Sequence, residues 1–453
     1  MSKIIKIKKG LDINLQGKAE AKVTALPMAA SYAVSPLDFE GVVPKLLVKA
    51  GEQVKAGDAL FFSKNDSRVL FTSPVSGTVT AVNRGEKRKV LNVTVQPDAT
   101  QSFKEFTVPA IEKASKDDVT KLLLEAGLWP LIIQRPYGII ANPDDQPKAI
   151  FVSGFDSAPL AADNDVVLAN DKANLQKGFD VLARLTSGKV HLSLNAKAEN
   201  KVFEGLKGVE VHEFAGPHPA GNVGVQIHHI DPINKGEVVW TVSAEGVAMI
   251  GRLFATGKVD MTKTIVLCGS QAEAPQYFTL IAGAAMDSIL AGRVKAQKEG
   301  DSVRVISGNV LTGTKVAADG YLTFYSNQVT LIPEGDKYEL LGWAMPRFNK
   351  FSVSKAYFSW LCPKKQYDLD TNLNGGERPF VVSGLYDKYL PMDIYPVYLL
   401  KAILAGDIDK MENLGIYEIV EEDLALCEFV DPSKIEMQDI VRQGINQMIK
   451  EMN

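Results

Sequence analysis

Between Ser115 and Gly269 short apolar, β-branched runs alternate with capped helical segments, and this alternation restricts the fold more than any other feature of the chain. Apolar runs separated by crossover helices pair in parallel and are buried on both faces, so a Rossmann-like α/β unit is expected. Ser115-Lys116-Asp117-Asp118 reads as a capping box with two acids in the first helical turn, where the helix dipole favours them. Val119, Leu122, Leu123 and Ala126 then form one face, and Gly127 stops the helix. Strands are expected at 149–152, 189–194, 209–214 and 237–242. A second capped helix should run from Ser243 through Val247, Ile250, Leu253 and Phe254 to Gly257, feeding a further apolar strand at 264–269.

The segment 42–95 has a different texture: short strands broken by Ala50-Gly51-Glu52, Ala56-Gly57-Asp58 and Ser73-Pro74-Val75-Ser76-Gly77, which supply the residues that tight turns need. This pattern resembles the flattened β-sandwich of biotinyl and lipoyl carrier domains. Such a domain offers a modifiable lysine at a hairpin tip, eight residues before the proline. Here that position is Asp66, flanked by Asn65 and Ser67, with Lys64 and Arg68 out of register. The module therefore reads as a structural or docking element without an attachment lysine.

Charge and composition exclude several functions. Fifty basic against 54 acidic residues leave a net charge of −4, which argues against nucleic-acid binding. The longest apolar candidate for a membrane span, 277–286, is too short and holds a Thr and a Gly. Lysines interrupt the start of the chain too often for a signal-peptide core, so a soluble, cytosolic protein is expected. Cys268, Cys362 and Cys427 are far apart with no C-x-x-C, so the chain cannot hold a Cys-ligated four-iron cluster unaided, and three buried core thiols are expected.

No nucleotide fingerprint is intact. G-x-G-x-x-G is absent, and Thr186-Ser187-Gly188-Lys189-Val190 fails as a P-loop because Ala183 replaces the first glycine and Val190 the magnesium-binding hydroxyl. The loop Gly216-Pro217-His218-Pro219-Ala220-Gly221-Asn222-Val223-Gly224 follows an expected strand, where α/β sheets bind ligands. Its two prolines remove N–H donors, so it reads as a pocket wall and not as a phosphate cradle. All five histidines fall between His191 and His229. His228 and His229, taken as neighbours on a strand, would point to opposite faces, so the histidines are read as structural and no metal site is expected.

In order along the chain, Lys9-Gly10-Leu11-Asp12, Asn83-Arg84-Gly85-Glu86-Lys87-Arg88, Ala126-Gly127-Leu128-Trp129, Arg135-Pro136 and Pro159-Leu160-Ala161-Ala162-Asp163 lead to His212-Glu213-Phe214-Ala215-Gly216-Pro217-His218-Pro219-Ala220-Gly221. Asp231-Pro232, Val305-Ile306-Ser307-Gly308-Asn309-Val310-Leu311-Thr312-Gly313 and Glu421-Glu422-Asp423-Leu424-Ala425-Leu426-Cys427 follow. Together these resemble the A-subunit family of the Na+-translocating NADH:quinone reductases over essentially the whole length. More distantly the chain is similar to the C subunit of Rnf complexes and to the flavin- and NADH-binding subunit of respiratory complex I. Those relatives carry a glycine-rich flavin loop where this chain has Leu128-Trp129-Pro130-Leu131-Ile132-Ile133-Gln134-Arg135, and their acidic stretch has become Asp156-Ser157-Ala158-Pro159. The resemblance thus implies a redox scaffold with no tightly bound flavin or cluster.

It further implies a peripheral subunit on the cytoplasmic face of a bacterial membrane, next to the membrane-embedded B subunit. The NADH site, flavins and Fe–S centres would lie on other subunits, and the chain would be inactive alone. Quinone contacts are expected from Phe39, Trp129 and Tyr137 as stacking rings and from Arg135 and His218 as hydrogen-bond donors, with core aromatics and a paired arginine as the alternative. The expected units are a carrier-like sandwich (1–100), the α/β domain (101–269), a β-grasp domain (270–335) and a mainly helical end (336–453). Strands are expected at 303–306, 321–325 and 328–332. Asp431-Pro432-Ser433 should start a helix carrying Val441, Ile445 and Met448 on one face. Gly342-Trp343-Ala344-Met345-Pro346 and the Lys-, Tyr- and Phe-rich stretch 347–367 precede the helical end; its Phe348-Asn349-Lys350-Phe351 and Lys364-Lys365 clusters read as solvated surface, with anionic lipid or a membrane subunit as the alternative they could face.

Overall fold

A computed structural model of the chain describes residues 4–335, 339–342 and 345–452. Trp343 and Ala344, part of the expected surface stretch, lie outside the described residues. The α/β unit forms around a seven-stranded sheet. Its order is Ile5–Lys6, Glu210–Ala215, Lys189–Asn195, Ala149–Ser153, Val239–Thr241, Ile133–Arg135, Ile139–Ile140. The first five strands run parallel and the last two are antiparallel, as a Rossmann-like core with a hairpin on its edge. The expected parallel sheet is present. Its outermost strand comes from the N-terminal segment, which was expected to lie in the sandwich.

Alternation in the strands decides what each face meets. Ile150, Val152, Val190 and Leu192 share one core with Leu175, Phe179 and Leu182 of the helix Lys172–Leu185 and with Val247 and Ile250 of Ala244–Thr256. These helices touch backbone to backbone. A Cβ at Gly251 would sit 1.8 Å from the Asn174 carbonyl oxygen, and one at Gly178 would sit 2.1 Å from that of Val247. Both boundary motifs formed as expected: Ser115 and Asp118 make the reciprocal capping box, and Gly257 ends the second helix in the left-handed region.

The run 264–269, expected in the parallel sheet, belongs elsewhere. Thr262–Cys268 pairs with Gln276–Ile281 and Gln328–Pro333 in a mixed six-stranded sheet that also takes in Glu20–Ala25, Val303–Ser307 and Thr314–Lys315. Periodicity reports a buried strand but not its sheet, and here the partner lies downstream. Residues 321–325 form no strand. Phe324 donates its N–H to the Asp38 carboxylate and Tyr325 its hydroxyl to the Pro130 carbonyl, which pins this segment as a turn with Phe324 half-buried and the Tyr325 side chain still exposed.

In the sandwich, a four-stranded sheet faces a three-stranded one across Leu60, Phe61, Phe71, Val79 and Val93. Asp66 does sit at the hairpin tip between Ala59–Ser63 and Leu70–Thr72. It pairs with Arg68 at 2.7 Å, and the same guanidinium holds Asp144 of the α/β unit at 2.7 Å. The tip that would swing in a carrier is docked against its neighbour.

The C-terminal helices Pro396–Leu404, Ile408–Asn413, Glu421–Val430 and Met437–Met452 pack around Leu399, Leu400, Leu424, Val441, Ile445 and Met448, which join Phe214 and Val225 of the α/β unit. The apolar face of the last helix is core. That helix starts at Met437, not at Asp431, because Lys434 takes a left-handed φ of 61° and Asp431 instead accepts the N–H groups of Ser433 and Ile435. Cys268 and Cys427 are buried as expected, whereas Cys362 is exposed.

This packing has measurable consequences for stability. Gly251→Ala, which would be favourable in an open helix, should instead lower the urea midpoint by an amount equivalent to about 1–3 kcal/mol, because neither backbone can withdraw. Burial raises the Asp38 carboxyl to about 6, only partly offset by the Phe324 N–H. The folded chain therefore holds this proton more tightly than the unfolded one, and its stabilising effect is full below the usual carboxylate range and lost as pH rises through about 6. Asp38→Asn should flatten that decline in urea titrations between pH 4 and 7, by on the order of 1–2 kcal/mol given the partial exposure of Asp38.

Candidate functional site

A cleft of about 440 Å³ opens at the C-terminal ends of the parallel strands, where the α/β unit, the mixed sheet and the C-terminal helices meet. Ser153, Phe155 and Asp156 continue the strand Ala149–Ser153, and Thr241 to Glu245 lead from Val239–Thr241 into its helix. Leu131 and Ile133 form an apolar wall. Asn309, Leu311 and Tyr325 come from the mixed-sheet unit, and Val420, Glu421 and Glu422 from the helical one.

His218 enters from the glycine–proline loop, which lines the cleft as expected of that motif. Its backbone N–H donates to Asp12, and its Nδ1 lies 3.0 Å from Ser157 Oγ. That hydroxyl oxygen also accepts the Gly221 N–H at 2.8 Å, so Ser157 ties the imidazole to the loop. Burial holds the imidazole below its usual range despite the opposing pull of Asp156 and Asp12, so the ring is neutral near pH 7.

Arg135 is almost wholly buried at the cleft floor and pairs with Glu422 at 2.5 Å and Asp423 at 2.8 Å, both at the start of Glu421–Val430. Room for this triad comes from Gly224, where a Cβ would lie 2.4 Å from Arg135 Nη1 and 2.5 Å from Asp423 Oδ1. Burial raises the Glu422 carboxyl, with Arg135 opposing and the neighbouring Asp423, Asp156 and Glu421 adding to the rise. Glu245, also on the wall and buried, is 3.3 Å from Lys263 through Oε2, while its Oε1 makes no hydrogen bond among the described residues.

Of the five residues expected at a quinone, Arg135 and His218 are brought together here and three are not. Trp129 has no exposed surface: it meets Trp240 edge-on at 5.5 Å and donates Nε1–H to the Ala141 carbonyl. Phe39 is buried among Phe71, Phe324 and Tyr325, one layer behind the wall. Tyr137 is half-buried at a φ of 87°, with its carbonyl accepting from Arg442. Phe39 and Trp129 are thus packed as core side chains, while Tyr137 is half-buried and outside the cleft lining. The run 128–134 splits in the same way: Leu128, Trp129 and Ile132 point into the core, while Leu131 and Ile133 face the cleft.

Three family descriptions match successive parts of the chain. They are an NqrA N-terminal barrel-sandwich hybrid domain (residues 5–98), an NqrA second alpha/beta domain (114–259) and an NQRA C-terminal domain of the SLBB type (264–318). Over 451 residues, 99% of this chain and the full length of each relative, 38% of positions are identical to the A subunits of the Na(+)-translocating NADH-quinone reductases of Yersinia pestis and Neisseria meningitidis. The Serratia proteamaculans A subunit is 39% identical over 453 residues. The chain belongs to the NqrA family, the A subunits of the Na+-translocating NADH-quinone reductases. Its carrier-like, α/β and SLBB units each match a domain of this family, and the helical unit follows them.

Glu245, Asn309, Leu311 and Tyr325 were not foreseen as site residues, because they come from segments far apart in sequence. Glu422 lay within a recognised motif, but nothing local marked it as a wall. His228 and His229 lie on the helix Val223–Ile230, not on a strand; His228 bridges Glu418 and the Asp393 N–H. Among the described residues no helix is long and apolar enough to cross a membrane.

Removing the floor cation should be costly. Arg135→Met leaves two carboxylates facing each other in a low-dielectric site and should cost about 3–5 kcal/mol in chemical denaturation. Adding Glu422→Gln and Asp423→Asn should recover much of that loss, because the uncompensated charge, not the missing contact, dominates.

Proposed function

We propose that this chain is the peripheral A subunit of a Na+-translocating NADH:quinone reductase, and that its cleft holds the quinone ring. On this reading it docks on the membrane-embedded subunits, the B subunit foremost, at the cytoplasmic face. The NADH site, flavins and Fe–S centres belong to other subunits, and the assembled enzyme couples electron transfer from NADH to quinone with Na+ export.

The observation that carries the quinone role is the pairing of apolar walls with two polar groups of opposite sense. A quinone ring has apolar faces and a carbonyl acceptor at each end, and it gains hydroxyl donors on reduction. Leu131, Ile133, Val242 and Leu311 suit the faces. Neutral His218 suits a carbonyl in the tautomer that turns its N–H to the cleft; Glu245 Oε1, unbonded and sealed just behind the wall, suits a hydroxyl once the side chain turns it into the cleft. Arg135 acts through Glu422, fixing that wall, while Phe39 backs Tyr325 and Trp129 and Tyr137 belong to the frame.

The same reading assigns no tightly bound redox group to this subunit. Flavin phosphate needs a small-residue loop with free amides, whereas Leu128, Trp129 and Ile132 are packed here as core side chains. Cys268 and Cys427 lie in separate cores, with Cys362 on the surface, so among the described residues no set of thiolates gathers around a cluster.

Titration of the purified chain with a water-soluble quinone should give saturable binding. His218→Ala or Glu245→Gln should weaken it about tenfold, and Leu311→Trp should block it. Unchanged binding in all three variants would place the quinone elsewhere, and an absence of binding by the parent chain would favour a scaffold role. The purified chain should be colourless, and stoichiometric release of flavin on denaturation would overturn the redox-silent assignment.

A further inference from the structure

Away from the cleft, three potential ligands converge towards the N-terminal ends of the parallel strands. His191 and Glu210 are register partners on adjacent strands, and His212 lies two residues beyond Glu210, so all three side chains leave the same face of the sheet. Their ligand atoms lie within 4.8 Å of one another. His191 Nδ1 and His212 Nε2 are 2.9 Å apart, and Glu210 Oε1 is 3.8 Å from His212 Nε2. Lys189 holds the other carboxylate oxygen of Glu210 at 2.5 Å, leaving Oε1 turned to the imidazoles. Phe151 stacks on His191 at 4.6 Å and fixes its ring plane.

We propose that His191, His212 and Glu210 form a site for a divalent transition-metal ion of the zinc class. Two imidazole nitrogens and one carboxylate oxygen are a donor set that such ions take, and a softer or harder ion would be served less well. Two nitrogens at bonding distance from a tetrahedral zinc stand about 3.3 Å apart with their lone pairs convergent, so the present head-on contact at 2.9 Å becomes a chelate when the partly exposed His212 ring pivots outward and the pair opens by a few tenths of an ångström. In the metal-free pair one ring donates its N–H to the other's lone pair; with an ion bound, that ring carries the proton on its other nitrogen, so both facing nitrogens offer lone pairs and no net proton is lost.

Access and support are both present. Glu210 is 41% exposed and His212 17%, so the ion can enter from solvent and keep water in its remaining position, while His191 forms the buried wall. The Lys189 ammonium and the Phe151 ring are the outer partners that orient the ligands. An ion here would clip two neighbouring strands of the sheet. It touches no residue of the cleft and stands independently of the quinone reading.

The test is titration of the chelator-dialysed, tag-free full chain with Co²⁺, followed by its visible d–d absorption, and then displacement by Zn²⁺. One equivalent of tetrahedral-type Co²⁺ is expected, weakened at least about tenfold in His212→Gln and in Glu210→Gln. His228→Gln should bind as the parent does, and Zn²⁺ should raise Tm in the parent more than in His212→Gln. Both ligand positions tested are partly exposed, and their circular dichroism in the absence of metal should match that of the parent. No stoichiometric Co²⁺ uptake by the parent, or uptake undiminished in both ligand variants, would overturn the site.

Discussion

The guanidinium of Arg135, nearly sealed from water, needs its charge answered on the spot, and much of the architecture follows from how that is done. The answering carboxylates, Glu422 and Asp423, belong to a helix almost three hundred residues downstream. Bringing them to the sheet edge docks the C-terminal helices on the α/β unit and creates the wall that closes the cleft. Gly224 is the steric condition for this, since any side chain there would collide with both partners. The pair need not be the most stabilising way to fill the space; its effect is to fix one arrangement of two units, because any other leaves a buried charge unanswered.

The cleft inherits its chemistry from this junction. A sheet alone would offer strand ends and a glycine–proline loop. The mixed-sheet unit adds Leu311 and Tyr325, and the helical unit adds Val420 and Glu422. Burial lowers the His218 imidazole and, with the neighbouring acids, raises the Glu422 carboxyl, so desolvation disfavours the charged form of both, while Arg135 alone pulls Glu422 back towards its charge. Each group's protonation is thus set by its position in the junction, not by its residue type alone.

Some of this was legible in the residues. The capping box at Ser115 and the glycine stop at Gly257 are local, because their partners lie within four residues, and both formed as read. The parallel strands were visible as apolar runs for the same reason. Site residues fared unevenly: Arg135 and His218 face the cleft, but Trp129, the side chain best suited by type to stack on a quinone, is a core residue with its indole N–H satisfied inside. An aromatic suited to stacking on a ligand is equally suited to packing on Trp240, and composition cannot distinguish the two.

What the sequence determined by itself is local: the capped start at Ser115, the glycine stop at Gly257, the apolar runs of the parallel strands, that Asp66 stands where a carrier has its attachment lysine, and that no nucleotide loop is intact. Tertiary structure alone decided which strands share a sheet. Ile5–Lys6 left the sandwich for the parallel sheet, Glu20–Ala25 and Thr262–Cys268 joined the mixed one, and three distant histidine and glutamate ligand atoms met on one face. The reason is physical. Capping and periodicity are settled by neighbours along the chain, whereas strand pairing and charge burial are settled by whichever distant segment can satisfy exposed backbone groups and unanswered charge when the units close.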